Sequence, residues 1–332
     1  MTTQTVRVVP AKRNPAIAFF INNRRALSAL VIFLVMLGIF TVSNPKVFLN
    51  PITHKAVFIS VPITVFVIVP MVFIITSGEI DLSFPATVGV TSWAFSAAVR
   101  DGWDPFLALV PAVVVGLITG LVVGVLVTYV GLSSLVATLG MNFLLRGLIN
   151  IGTSGIAMQF PTIKDTVFYQ LFAGRIGDFP VQVLWAVVFI ALSWALFNRH
   201  KFGAHIHFVG DNPDSAREMG INVHRVKIGA YLFMGLGAAL AGVLSVLVNL
   251  NWWPTTGDGL LLPALASVFI GGTPTWGGVG TVVGSAIGGF ITAYIATGII
   301  AAGLTGFFTQ FFHGLVIIVS LIGHRFNGPR YR

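Results

Sequence analysis

The chain has no cysteine, which excludes disulfides, thiol nucleophiles and cysteine-ligated metals together. It is also poor in charge: Asp, Glu, Lys and Arg make up 9% of its 332 residues, against roughly 25% in soluble chains. It contains no Gly-Lys dipeptide, so the P-loop that cradles ATP phosphates is missing and the chain is expected to bind no cofactor of its own. The seven histidines show no metal-ligand spacing on a helix, and His205 and His207 read as solvated loop residues. Gly278, Gly280 and Gly284 lack the spacing and the strand–turn–helix context of a dinucleotide turn. No nucleophile–base pair stands out either, so the chain is not expected to be an enzyme.

What is present is apolar. Hydrophobic residues make up 56% of the chain, in repeated runs close to the roughly 20 residues that cross a bilayer core of about 30 Å. The fold class expected is an all-α polytopic membrane protein with about ten transmembrane helices, over 26–42, 56–76, 84–99, 106–130, 133–151, 181–197, 228–250, 260–275, 279–300 and 305–323. The first run follows a polar, basic segment and lacks a small-residue cleavage site, so no signal peptide is expected. The division is then a cytosolic tail over 1–25, a membrane domain over 26–323 holding a cytosolic loop at 198–227, and a cytosolic tail over 324–332.

The net charge of +9 follows the loops rather than a nucleic-acid surface, and the bilayer is the expected partner. With the N-terminus inside, thirteen basic residues are cytosolic: Arg7, Lys12, Arg13, Arg24, Arg25, Arg199, Lys201, Arg217, Arg225, Lys227, Arg325, Arg330 and Arg332. Five lie outside, Lys46, Lys55, Arg100, Lys164 and Arg175, and Arg146 falls within a span. The positive-inside rule therefore places both termini in the cytosol.

Two spans look broken. Val72-Phe73-Ile74 leads into Thr76-Ser77-Gly78-Glu79-Ile80-Asp81-Leu82-Ser83, and Val268-Phe269-Ile270 leads into Gly271-Gly272-Thr273-Pro274. Interrupted segments at matching places hint at a weak internal repeat, with re-entrant or broken helices. Asp81 is a candidate for the solute path, and just before Ser83 and Pro85 it also suits a helix start, the reading its spacing favours. Glu79 is open between binding solute hydroxyls, capping the next half-helix and lying in a cytosolic turn. Gly116, Gly120 and Gly124 share one helix face, as do Gly284 and Gly288, and read as close-packing surfaces.

In the span from Ser133 to Ile151, Ser134, Thr138, Asn142, Arg146 and Asn150 recur every fourth residue as a polar stripe. Such residues are costly in lipid and face protein or water. Two readings stand: a wall of a solute path, or an interhelical hydrogen-bond seam with Arg146 satisfied by carbonyls or an acid from elsewhere. In the last span Thr309, Gln310 and His313 make a shorter polar face that is a further path candidate.

The segment Arg199–Lys227 holds eight of the 29 charged residues, five basic and three acidic. Within Gly210, Asp211, Asn212, Pro213, Asp214, Ser215, Ala216, Arg217, Glu218, Met219 and Gly220, a capped short helix is expected. Asn212 or Asp214 caps, Pro213 takes the first turn and Gly220 stops it. A short amphipathic helix on a basic loop is built to dock on a soluble partner.

These segments resemble the permease subunit of ATP-binding-cassette importers for ribose and related monosaccharides, within a wider family of sugar, polyol and related solute permeases. The resemblance runs from about Val57 to Gly323. It is carried by Thr76–Ser83; by Val136-Ala137-Thr138-Leu139-Gly140-Met141 with Arg146-Gly147; by Gly210-Asp211-Asn212 through Gly220-Ile221-Asn222; and by Gly271-Gly272-Thr273 with Gly277, Gly278, Gly280 and Gly284. It implies a dimer of two copies or paralogues, a separate ATPase with two nucleotide-binding modules carrying ATP and Mg²⁺, and a periplasmic solute-binding protein. It also implies a bacterial inner-membrane location, and the charged loop as the element that couples to the ATPase. Glu79 stands where the family usually has glycine, and Leu261 and Pro263 where it commonly has acids, which bears on the solute carried. A rival reading is an ion-coupled secondary transporter using Glu79 and Asp81.

Overall fold

The computed structural model describes residues 23–327. The expected tail at 1–25 lies outside these residues except for 23–25, as do 328–332 of the expected C-terminal tail. Among these residues fourteen α-helices follow in chain order: α1 Arg24–Ser43, α2 Pro45–Phe48, α3 Pro51–Thr76, α4 Phe84–Arg100, α5 Pro105–Thr128, α6 Ser134–Thr153 and α7 Val167–Ala173; then α8 Val181–Arg199, α9 Lys201–Asp211, α10 Pro213–Glu218, α11 Val223–Asn249, α12 Leu261–Ile270, α13 Val282–Ala301 and α14 Gly306–Asn327. Among the described residues, extended pairing is confined to two-residue contacts, Met158–Gln159 with Asn251–Trp252 and Arg175–Ile176 with Phe179–Pro180. The protein is an all-α polytopic membrane protein. Eight helices, α1, α3, α5, α6, α8, α11, α13 and α14, are long and apolar enough to cross a membrane. All ten expected spans fall on helices, but α4 has 17 residues and α12 only 10, and these are the helices beside the two breaks.

Helix starts follow a common local chemistry. Asn50, Asp104 and Asn212 each precede a proline, and each accepts a hydrogen bond from a backbone N–H of the first turn. Proline has no N–H to lose there and its φ is already helical. The core is built on α3 and α11: every residue from Val65 to Ser77 is buried. The expected glycine surfaces are confirmed. A Cβ at Gly116 would run into the Gly235 carbonyl and one at Gly120 into the Tyr231 carbonyl, so α5 and α11 touch backbone to backbone. Gly284 and Gly288 bring α13 onto the end of α12 in the same way. At the first end of α3, Lys55 Nζ lies 2.5 Å from Asp178 and holds that exposed carboxyl below its usual range.

Both helices before the breaks end alike. Gly78 has φ +86° and the Glu79 N–H reaches back to the Ile74 carbonyl; Gly272 has φ +95° and the Thr273 N–H reaches the Val268 carbonyl, both at 3.1 Å. This is a Schellman finish in which only glycine takes the left-handed position without cost. The Val-Phe-Ile triplets start six and four residues before these glycines, so they are out of register by two. Helix-end geometry, not the triplet, makes the two breaks alike.

The first break is long because it climbs. Ile80 N–H meets Ser134 Oγ at the start of α6, while Pro85 O meets Arg146 twelve residues further along that helix, about 18 Å at 1.5 Å per residue. Thus α4 begins deep in the protein, which is why its apolar run is short. Irregular backbone survives there because it is buried in protein.

Candidate functional site

The charged loop folds as two helices rather than one. His200 Nδ1 accepts from Phe202 N–H and starts α9, where Ile206 and Val209 are buried and Phe202 half-buried on one side. Asn212 Oδ1 accepts from the N–H groups of Asp214 and Ser215, both at 3.0 Å, so Asn212 is the cap of α10. Asp214 instead meets Arg217 at 2.5 Å. Gly220, φ +79°, closes the element. Ala216 is buried, while Asp211, Pro213, Ser215, Arg217, Glu218 and Met219 are exposed, so α10 shows a polar outer face.

The inner end of this loop meets both breaks. Gly278 N–H donates to Thr76 O at 2.8 Å, and His207 Nδ1 donates to Gly278 O at 2.9 Å. Gly210 sits against Thr76 O and Gly278 N so closely that any side chain would collide with backbone. Gly277 in turn lies against Gly210 and Gly78. The end of α3, the break after α12 and the end of α9 therefore form one backbone junction. Below it, Phe73 packs between Phe197 and Phe233, each with ring centroids at 4.9 Å. The expectation that His207 is solvated is corrected: it is half-buried and bonded across the junction.

Glu79 has a partner that its sequence neighbours do not reveal. Its carboxylate forms an ion pair with Lys227 of α11, the two side chains being 13% and 17% exposed. Asp81 is 3% exposed and turns back on the break, accepting from Ser83 N–H at 2.7 Å and Ser83 Oγ at 2.6 Å. It shapes the entry to α4, as its spacing suggested.

The polar stripe on α6 divides. Ser134 Oγ accepts from Ile80 N–H, and Thr138 is fully buried with its hydroxyl donated to Ser134 O at 2.6 Å. Arg146 grips the connection after α11: Nη1 donates to Pro254 O at 2.8 Å, and Nη2 to Pro85 O and Thr256 O, each at 3.0 Å. It also pairs with Asp258. These three residues are thus bonded to backbone and side chains of other elements. Asn142 is half-buried and Asn150 exposed. Of the last-span candidates His313 is buried against Thr292 of α13, Thr309 is half-buried and Gln310 is exposed on this chain's surface.

The connection that Arg146 holds lines a polar cavity of about 350 Å³, formed by Ser245, Asn249, Asn251, Trp253, Thr255 and Thr256 with Gly257. Trp252, fully buried, fixes it from behind by donating Nε1 to Gly89 O and Ser92 Oγ. None of these cavity residues was a sequence candidate. The signal was there in Asn251-Trp252-Trp253-Pro254-Thr255-Thr256, a polar and aromatic run between two apolar helices.

Interrupted helices meet the charged loop at one end of α11, and a polar cavity lies at its other end. Residues 55–321 match the family described as branched-chain amino acid transport system / permease component, and the chain belongs to it. It is 29% identical to the ribose import permease protein of Escherichia coli (strain K12) over 325 residues, 97% of this chain and 98% of that protein. It is 30% identical to the ribose import permease protein of Bacillus subtilis (strain 168) over 289 residues, 87% of this chain and 89% of that one. It is 26% identical to an autoinducer 2 import system permease protein of Yersinia pseudotuberculosis (serotype O:3) over 309 residues, 91% of this chain and 85% of that one.

Proposed function

We propose that this chain forms the solute path of an ATP-driven importer for a small polar solute, a sugar or polyol, and that α9 and α10 seat on its ATPase. The observation that carries this reading is the junction of Gly210, Thr76 and Gly278, through which a displacement of the loop reaches both broken helices without a flexible linker. ATP and Mg²⁺ bind to a partner with two nucleotide-binding modules, and this chain binds neither. A second copy or a paralogue completes the path, and a periplasmic binding protein delivers the solute. The protein sits in a bacterial inner membrane with both termini, the loop 198–227 and the two breaks on the cytosolic side.

The relatives named for ribose and autoinducer 2 import support a hydroxyl-rich solute, and so does the cavity. Amides of Asn249 and Asn251 and hydroxyls of Thr255 and Thr256 offer donors and acceptors, while Trp253 offers a flat apolar face. Alternating access then follows from two discrete arrangements of one packed unit. Closure of the ATPase modules moves α10. Through α9 and Gly210 it shifts the ends of α3 and α12, and the path changes the side to which it opens.

The ion-coupled alternative needs free carboxylates at Glu79 and Asp81, but Lys227 occupies the first and Ser83 the second. Uptake into proteoliposomes separates the two readings. Transport is expected with ATPase, ATP and loaded binding protein and no ion gradient. Uptake driven by a proton or sodium gradient without the ATPase would replace the importer reading.

A further inference from the structure

A second cavity, of about 500 Å³ and with a mixed lining that includes Ile32, Phe269 and Ile270, opens between α1, α14 and the break after α12. Arg24, Arg25, Ser28, Trp276, Ser320 and His324 line it, and Gly272 forms part of its floor. Arg25 is half-buried, with the stem of its side chain laid on Gly272. Among the described residues neither arginine has a carboxylate within ion-pair distance. The sequence explains why. All ten acids of the chain fall between Glu79 and Asp258, whereas every residue lining this cavity comes from before residue 33 or after residue 268. Among the described residues, the segments that build the cavity thus supply two adjacent cations and no acidic side chain. His324 Nδ1 is enclosed and has no hydrogen-bond partner among the described residues, and Trp276 stands edge-on to that ring with centroids 6.2 Å apart.

We propose that this cavity is a binding site for a phosphate group, the kind an anionic phospholipid presents at the membrane surface. Guanidinium groups offer the planar donor sets that match phosphate oxygens. The Ser320 hydroxyl and an imidazole add neutral donors, Ser28 already donating to Arg25 O, and a tryptophan at the cavity edge suits the headgroup level. Basic pockets between membrane helices are where lipid headgroups lodge. The bound phosphate bridges α1 and α14 to the break whose other side bonds to Thr76 and His207, so it fixes one wall of the junction.

The test reads binding and not transport, so it stands apart from the importer reading. The full-length chain is purified in detergent and titrated with phosphatidylglycerol, phosphatidylcholine or inorganic phosphate, with occupancy read by native mass spectrometry and by the unfolding midpoint. Phosphatidylglycerol is expected to be retained and phosphatidylcholine lost. Arg25→Gln should weaken retention about tenfold, whereas Arg325→Gln, which removes the same charge outside the cavity, should change it fivefold at most, as expected of a surface charge worth about 1 kcal/mol. Arg24→Gln, at an exposed position, repeats the first result should Arg25→Gln fold poorly. A midpoint raised by inorganic phosphate alone, and lost in Arg25→Gln, keeps the site and makes a free ion its source. Equal losses in the Arg25 and Arg325 variants, or equal retention of the two lipids, would overturn the proposal.

Discussion

Glu79 and Lys227 meet from positions 148 residues apart, at the point where the first break touches the helix that follows the charged loop. Removing one member of a buried ion pair costs about 3–5 kcal/mol because the other charge is left uncompensated; partial exposure brings the expectation here to the low end of that range. Glu79→Gln and Lys227→Gln should each lower the unfolding midpoint in detergent, and the double variant should lose clearly less than the sum of the two. Strictly additive losses would show that the two groups do not act on each other. Arg146 shows what spacing can reveal at this scale. Its place in an apolar helix announced that it must be satisfied, yet the carbonyls that satisfy it belong to residues 61 to 110 positions away, and no periodicity of one helix encodes them. The cavity residues Asn249–Thr256 were missed for a related reason. Reading by apolar runs treats the stretch between two spans as a connector, although this one folds inward onto α4.

The elements were more legible than their contacts. Asn-Pro at the head of α10 and Gly220 at its end are strictly local signals, so the helix was expected within a residue of where it lies. Helix α9 was not expected, because His and Gly residues dilute its pattern, and its buried side becomes apparent only once α8 and α3 are there to cover it. The two helices call for opposite kinds of substitution. Arg217 and Glu218 are exposed, so the charge-reversed pair Arg217→Glu with Glu218→Arg should keep the unfolding midpoint, surface changes being worth within about 0.5 kcal/mol. Docking on the ATPase should weaken about tenfold, the effect of losing about 1.4 kcal/mol, with uptake falling alongside it. Unchanged docking and uptake would remove α10 from the contact. Gly210→Val has nowhere to place its side chain. It should separate α9 from the breaks, leaving ATP hydrolysis running while solute uptake stops, as measured in the same proteoliposomes; normal uptake would show that the junction is not the transmitting element.

For the whole molecule, α11 sets the frame. Its 27 residues span about 40 Å at 1.5 Å per residue, more than the roughly 30 Å of a hydrocarbon core. The charged loop at its first end and the polar cavity at its last therefore lie a membrane's thickness apart. Which side is which follows from charge. Among the described residues Arg24, Arg25, Arg199, Lys201, Arg217, Arg225, Lys227 and Arg325 lie toward the loop, against Lys46, Lys55, Arg100, Lys164 and Arg175 toward the cavity. By the positive-inside rule that excess supports the cytosolic placement proposed for the loop. The absence of cysteine makes the orientation directly measurable, because any thiol introduced is the only one in the chain. Thr255→Cys should react with a membrane-impermeant maleimide in intact spheroplasts, and Glu218→Cys only in inverted vesicles or after permeabilisation. Occupation of the cavity by solute should slow labelling at Thr255→Cys and leave Glu218→Cys untouched. Labelling of Glu218→Cys from outside intact spheroplasts would invert the molecule, take the loop away from any cytosolic ATPase and with it the coupling role of the Gly210 junction.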